Sequence, residues 1–158
     1  MKTSSLSELK KELEGIETKE LRELCVHLAK YKKENKELLT YLLFESTDNQ
    51  NYIKGVKKMM DELYDEINSS NLYLAKKSLR KILRLTNKYI KYTGSKQVEV
   101  ELLMYYCKKL RKSGIEFQKS TALSNIYIRQ VVKIKKALAT LHEDLQFDYQ
   151  EEISILMR

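Results

Sequence analysis

Three observations predict an all-α fold. Proline is absent and glycine occurs four times in 158 residues, so the turns that a β-sandwich needs are scarce. Leu, Lys and Glu, all good helix formers, dominate the composition. Apolar residues recur at spacings of three and four rather than in alternation. The chain is long enough to bury a core without staples. No linker-like stretch interrupts it, so a single domain over residues 1–158 is expected, with about six to eight helices in a compact bundle or a short stack of helical hairpins.

The elements follow in order. Ser5 and Glu8 form a capping-box pair that opens a first helix, ended by Gly15. Thr18 can cap a second, along which Leu21, Leu24, Leu28 and Tyr31 form a stripe. A third is expected from about Glu34 to Glu45. Its segment KELLTYLLFE sends Leu38, Leu39, Tyr41, Leu42, Leu43 and Phe44 almost all around the axis. A helix that is apolar all round is buried on more than one side, so this one is expected at the middle of the bundle.

The polar loop STDNQN offers caps at Asp48 and Asn49 for a fourth helix, whose stripe runs Tyr52, Val56, Met59, Met60, Leu63 and Ile67. The turn NSSN (68–71) makes it an antiparallel hairpin with a fifth, Leu72 to Thr93, stopped by Gly94 in a left-handed cap. Ser95 opens a sixth that Gly114 ends. The seam Val131, Ile134, Leu138, Leu141, Leu145 places a long seventh helix from about Ala122 to Leu145. Asp148 and Glu151 suggest a final capped turn. The expected core comprises Leu24, Leu28, Leu38, Leu42, Leu43, Val56, Leu63, Leu79, Ile82, Leu83, Leu103, Val131, Ile134 and Leu138.

The stretch LAKYKKENKELLTYLLFE (28–45) resembles one in a family of small, all-helical bacterial proteins known only as a domain of unknown function. The resemblance covers this part of the chain alone and implies no activity, cofactor or functional residue.

Charged residues stand where a signal peptide would need an apolar stretch. The longest unbroken apolar run, Leu102 to Cys107, is far short of the roughly 20 residues a membrane span requires. A soluble, cytoplasmic protein without a membrane partner is expected. Cys25 and Cys107 have no CxxC partner and read as buried free thiols.

Inward-facing Glu-x-x-His pairs would mark a di-metal bundle, but Glu23 precedes His27 by four positions and no Glu lies three before His142. Cys25 and His27, two apart, do not share a helix face. No G-x-S-x-G turn or phosphate-binding glycine loop occurs. No catalytic, metal or cofactor residue is therefore assigned, and a noncatalytic protein is expected. Of the eleven tyrosines, Tyr52, Tyr64, Tyr89, Tyr105 and Tyr127 fall on or beside apolar stripes and are expected at the edges of the core, with their hydroxyls reaching water.

Charge distribution is the most informative functional signal. Between Ile67 and Val98 there is no acid and there are eight bases: Lys76, Lys77, Arg80, Lys81, Arg84, Lys88, Lys91 and Lys96. That excess equals the net charge of +8. At about 100° per residue, those from Lys76 to Lys91 share one face of the fifth helix. The hairpin register sets Lys76 and Lys77 beside Asp61, Glu62, Asp65 and Glu66, which can neutralise them, and sets Arg84 and Lys88 beside Lys54, Lys57 and Lys58. Lys54, Lys58, Lys81, Arg84, Lys88 and Lys91 are thus the candidate anion- or nucleic-acid-binding residues. The leading functional expectation is a noncatalytic interaction or scaffolding module that binds another protein through a helical surface. The alternative is sequence-nonspecific binding of nucleic acid or another polyanion through the basic face. A merely solvated face remains the simplest reading of such a charge run.

Overall fold

The computed structural model describes residues 2–157. Among them are eight α-helices, a π-helical turn, a 3-10 turn and no strand, an all-α fold. The chain divides into two compact units, one up to Glu45 and one from Ser46.

The first unit holds α1 (Leu6–Glu14), α2 (Thr18–Tyr31), α3 (Lys33–Thr40) and a π-helical turn, Tyr41–Glu45. The capping box is present: Ser5 Oγ accepts from the Glu8 amide, and Glu8 Oε2 accepts from the Ser5 amide at 2.7 Å. Thr18 is not a cap. Glu17 holds that position and makes no side-chain bond there. Gly15 ends α1 in a right-handed conformation. α2 packs against α3, and the Asn35 side chain donates to the Leu28 carbonyl at 2.8 Å.

The expectation that the KELLTYLLFE segment forms the middle of the bundle is overturned. Leu42, Leu43 and Phe44 are 54, 64 and 75% exposed, and the α-helix gives way to a π turn at Tyr41. Leu24 and Leu28 are exposed as well. These four predicted core leucines lie in helices too short and too few to enclose them.

The second unit holds α4 (Asn49–Asp65), α5 (Leu72–Thr93), α6 (Lys96–Lys112), a 3-10 turn (Phe117–Lys119), α7 (Thr121–Leu138) and α8 (Glu143–Met157). Its central helix is α6, which packs against α4, α5, α7 and α8. Val98, Val100, Leu102, Leu103, Met104, Tyr106, Cys107 and Leu110 are all buried on it. It is the helix that is apolar nearly all round, and it meets the physical requirement first assigned to the third helix. Of the predicted core, Val56, Leu79, Ile82, Leu103 and Ile134 are buried. Leu38, Leu63, Leu83, Val131 and Leu138 are partly covered.

Gly94 takes φ 62° at the end of α5, as the cap requires. The seventh helix is shorter than its seam suggests, because α7 stops at Leu138. The Thr140 hydroxyl donates to the Ala137 carbonyl at 2.6 Å, competing with helical continuation. After this turn α8 packs back on α6 and α7, burying Ile153 and Leu156. The expected last turn at Asp148 is the interior of this 15-residue helix.

Tyr64 and Tyr127, expected to reach water, instead pin helices together, as does Tyr106. Tyr64 donates to the Tyr106 carbonyl at 3.0 Å, Tyr106 to that of Leu79 at 3.2 Å, and Tyr127 to that of Leu156 at 2.7 Å. Cys107 is a buried thiol, pushed up to about 12 by burial. Cys25 is exposed, contrary to expectation, because α2 buries no side chain.

Candidate anion-binding face

α5 is held at both ends by its own sequence. The Asn71 side chain accepts from the amides of Tyr73 and Leu74 at 3.0 and 3.1 Å. Its inward stripe is Ala75, Leu79, Ile82, Thr86 and Ile90, spaced to fall on one face. Thr86 is tolerated there because its hydroxyl donates to the Ile82 carbonyl at 2.9 Å. The opposite face is left to the bases.

Along that face an open groove is lined by Lys77, Ser78, Arg80, Lys81 and Arg84. Lys81 and Arg84 are thus two predicted site residues that the structure brings together. Lys88 continues the stripe, with its ammonium 4.8 Å from the centre of the Tyr89 ring. Lys91 is exposed near the end of α5, and Lys54 and Lys58 stand exposed one turn apart on α4.

Lys77 and Arg80 are additions to the predicted set. The sequence register assigned Lys76 and Lys77 to the α4 acids, but neither lysine pairs with one, and Asp61 is engaged elsewhere. Asp61 pairs with Lys109 at 2.8 Å and accepts from the Tyr105 hydroxyl at 2.6 Å. Burial works to raise the Asp61 carboxyl, yet the Lys109 and Tyr105 hydrogen bonds outweigh it and hold it below its ordinary range. Asp65 borders a different depression, with Lys109 and Lys112 of α6. Among the described residues, Lys76, Lys77, Arg80, Lys81, Arg84 and Lys91 have no carboxylate within ion-pairing distance.

Acids on α6 are likewise consumed away from α5's outer face. Glu99 binds Lys96 at 2.8 Å and Lys133 at 3.2 Å. Its burial is outweighed by hydrogen bonds from those two lysines, so it lies below the ordinary carboxylate range. Glu101 pairs with Lys57 at 3.6 Å and accepts from the Tyr149 hydroxyl at 3.0 Å. Lys57, expected beside Arg84 and Lys88, therefore serves α6.

The charge division between the units is unequal. Residues 1–45 carry nine bases and nine acids, whereas residues 46–158 carry 21 bases and 13 acids. The entire net charge belongs to the second unit.

His27 is exposed beside Arg22, Glu23, Val26 and Lys30 at a shallow depression of α2. Among the described residues, no three His, Cys, Asp or Glu side chains gather at metal-binding range, and no helix is long and apolar enough to cross a membrane. Comparison with known proteins finds no family model, no curated protein and no solved structure that matches the chain.

Proposed function

We propose that this chain is a noncatalytic helical interaction module that works by binding another protein through the helices of its first unit. One observation carries the reading: α1, α2 and α3 keep no side chain buried. They display Leu6, Leu9, Leu13, Leu21, Leu24 and Leu28 to solvent. Scattered exposed leucines are ordinary, but contiguous apolar surface on a soluble protein marks a place where something binds. The spacing of three and four along α1 and α2 gives each helix one apolar stripe, the pattern by which helices recognise a groove or another helix. The balanced charges of this unit impose no long-range repulsion on a partner of either sign.

Purification of the tagged chain from its native cell, before and after nuclease treatment, tests the reading. A protein retained after nuclease and lost on Leu9→Glu, Leu13→Glu and Leu24→Glu together supports it. Retention by the variant, or loss with nuclease alone, counts against it.

A further inference from the structure

We propose that the groove lined by Lys77, Arg80, Lys81 and Arg84, extended along α5 by Lys88 and Lys91, is a sequence-nonspecific site for the phosphate backbone of duplex nucleic acid. This site belongs to the second unit and does not depend on the protein-binding role of the first.

Linearity is the first argument. From Lys77 to Lys91 the bases occur at steps of three, one, three, four and three. At about 100° and 1.5 Å per residue they occupy an arc of about 100° and a length of about 21 Å. A row of that length meets several successive phosphates of a duplex, which carries one charge per about 1.7 Å of axis. The two arginines present the planar fork that matches phosphate oxygens in pairs.

The surroundings decide among polyanions. An acidic protein surface would need an apolar or aromatic anchor at the centre of the contact, and among the described residues that line the groove the bases are joined by Ser78 alone. A single strand would need a platform of open rings. Tyr89 instead meets Tyr92 edge-on at 5.9 Å, and the one exposed ring of α5, Tyr73, has the Lys76 ammonium 5.5 Å from its centre and is by itself no row of stacking rings. The one amide side chain within the row is not available to base edges. Asn87 donates to the Leu83 carbonyl at 2.8 Å and accepts from Lys133 at 2.7 Å, so its amide is occupied. What remains is recognition of regularly spaced charge.

The test is fluorescence anisotropy at low salt with duplex and single-stranded oligonucleotides of equal length. Three proteins are compared: wild type, Arg80→Glu/Lys81→Glu/Arg84→Glu, and Lys10→Glu/Lys11→Glu/Lys19→Glu. The last changes the net charge equally but lies in the first unit. All six positions are exposed, and circular dichroism checks that each variant stays helical. Duplex binding by wild type is expected, weakening with salt at a slope near −3.6 if about four phosphates are neutralised. The groove variant should lose at least about tenfold in affinity, and the first-unit variant should bind as wild type does. Absence of duplex binding overturns the assignment. So does equal loss in both variants, tighter binding of the single strand, or equal competition by polyglutamate.

Discussion

The Tyr105 hydroxyl donates to Asp61 at 2.6 Å, and Lys109 reaches the same carboxylate oxygen at 2.8 Å. This contact commits an acid of α4 to α6 and so removes it from the bases of α5. That Lys77, Arg80, Lys81 and Arg84 lack a carboxylate partner is therefore a consequence of how the second unit packs, as much as of the acid-free window in its sequence.

Tyr105 reports on that contact. Burial first, then the hydrogen bond and charge of Asp61, push its phenol up to about 12. Asp61→Asn should lower this value, measured as the alkaline absorbance titration of the tyrosinate and assigned with Tyr105→Phe. An unchanged titration would show that burial alone sets it.

Acid should weaken the second unit in a defined window. Asp61 and Glu99 lie below their ordinary values of 3.8 and 4.5 when folded. A carboxylate with a depressed folded value contributes stability that is fully present above its unfolded value and is lost as pH falls through the folded one. Thermal midpoints should hold level from neutrality down to about pH 5, then fall below about 4.5. Asp61→Asn with Glu99→Gln should flatten that fall.

Glu99 also ties three helices, through Lys96 and Lys133, with Lys133 reaching Asn87. Both lysines are about half exposed, so water can replace the lost contacts in part. Glu99→Ala should cost about 1–2 kcal/mol in urea unfolding, well short of a fully buried pair.

Packing separates the two units in mutational cost. Leu79→Ala and Leu103→Ala, at fully buried sites, should each cost about 2–5 kcal/mol. Leu42→Ala and Leu43→Ala, at exposed sites, should fall within about 0.5 kcal/mol. Denaturant midpoints decide, and equal costs would mean that the first unit has a core after all.

Thiol reactivity provides an independent check of burial. Cys25 is exposed and Cys107 is buried with its thiolate disfavoured. One thiol per folded chain should react promptly with a disulfide reagent at neutral pH, and both after denaturation. Two prompt reactions would contradict the placement of α6.

Much of the second unit was legible in the sequence. Gly94, Asp48 and Ser95 act locally, and local signals mark where α4 and α6 begin and where α5 ends. What was not legible depends on partners. The similar strings ELLTYLL (37–43) and ELLMYYC (101–107) have very different fates: Leu42 and Leu43 are exposed, whereas Tyr106 and Cys107 are fully buried. An all-round apolar stretch states a need for cover, but not which copy of it finds neighbours. The α7 seam failed for a related reason, since Leu141 and Leu145 keep the period across a turn. Lys77 was missed because hairpin register pairs α5 with α4 alone, while α6 takes Asp61.

The most direct measurement is hydrogen exchange on the chain alone and bound to the partner that survives nuclease treatment. New protection concentrated in residues 6–45, with α4 to α8 unchanged, is the expected result. Protection confined to the second unit, or none in α1 to α3, would contradict the proposal that the first unit is the docking surface.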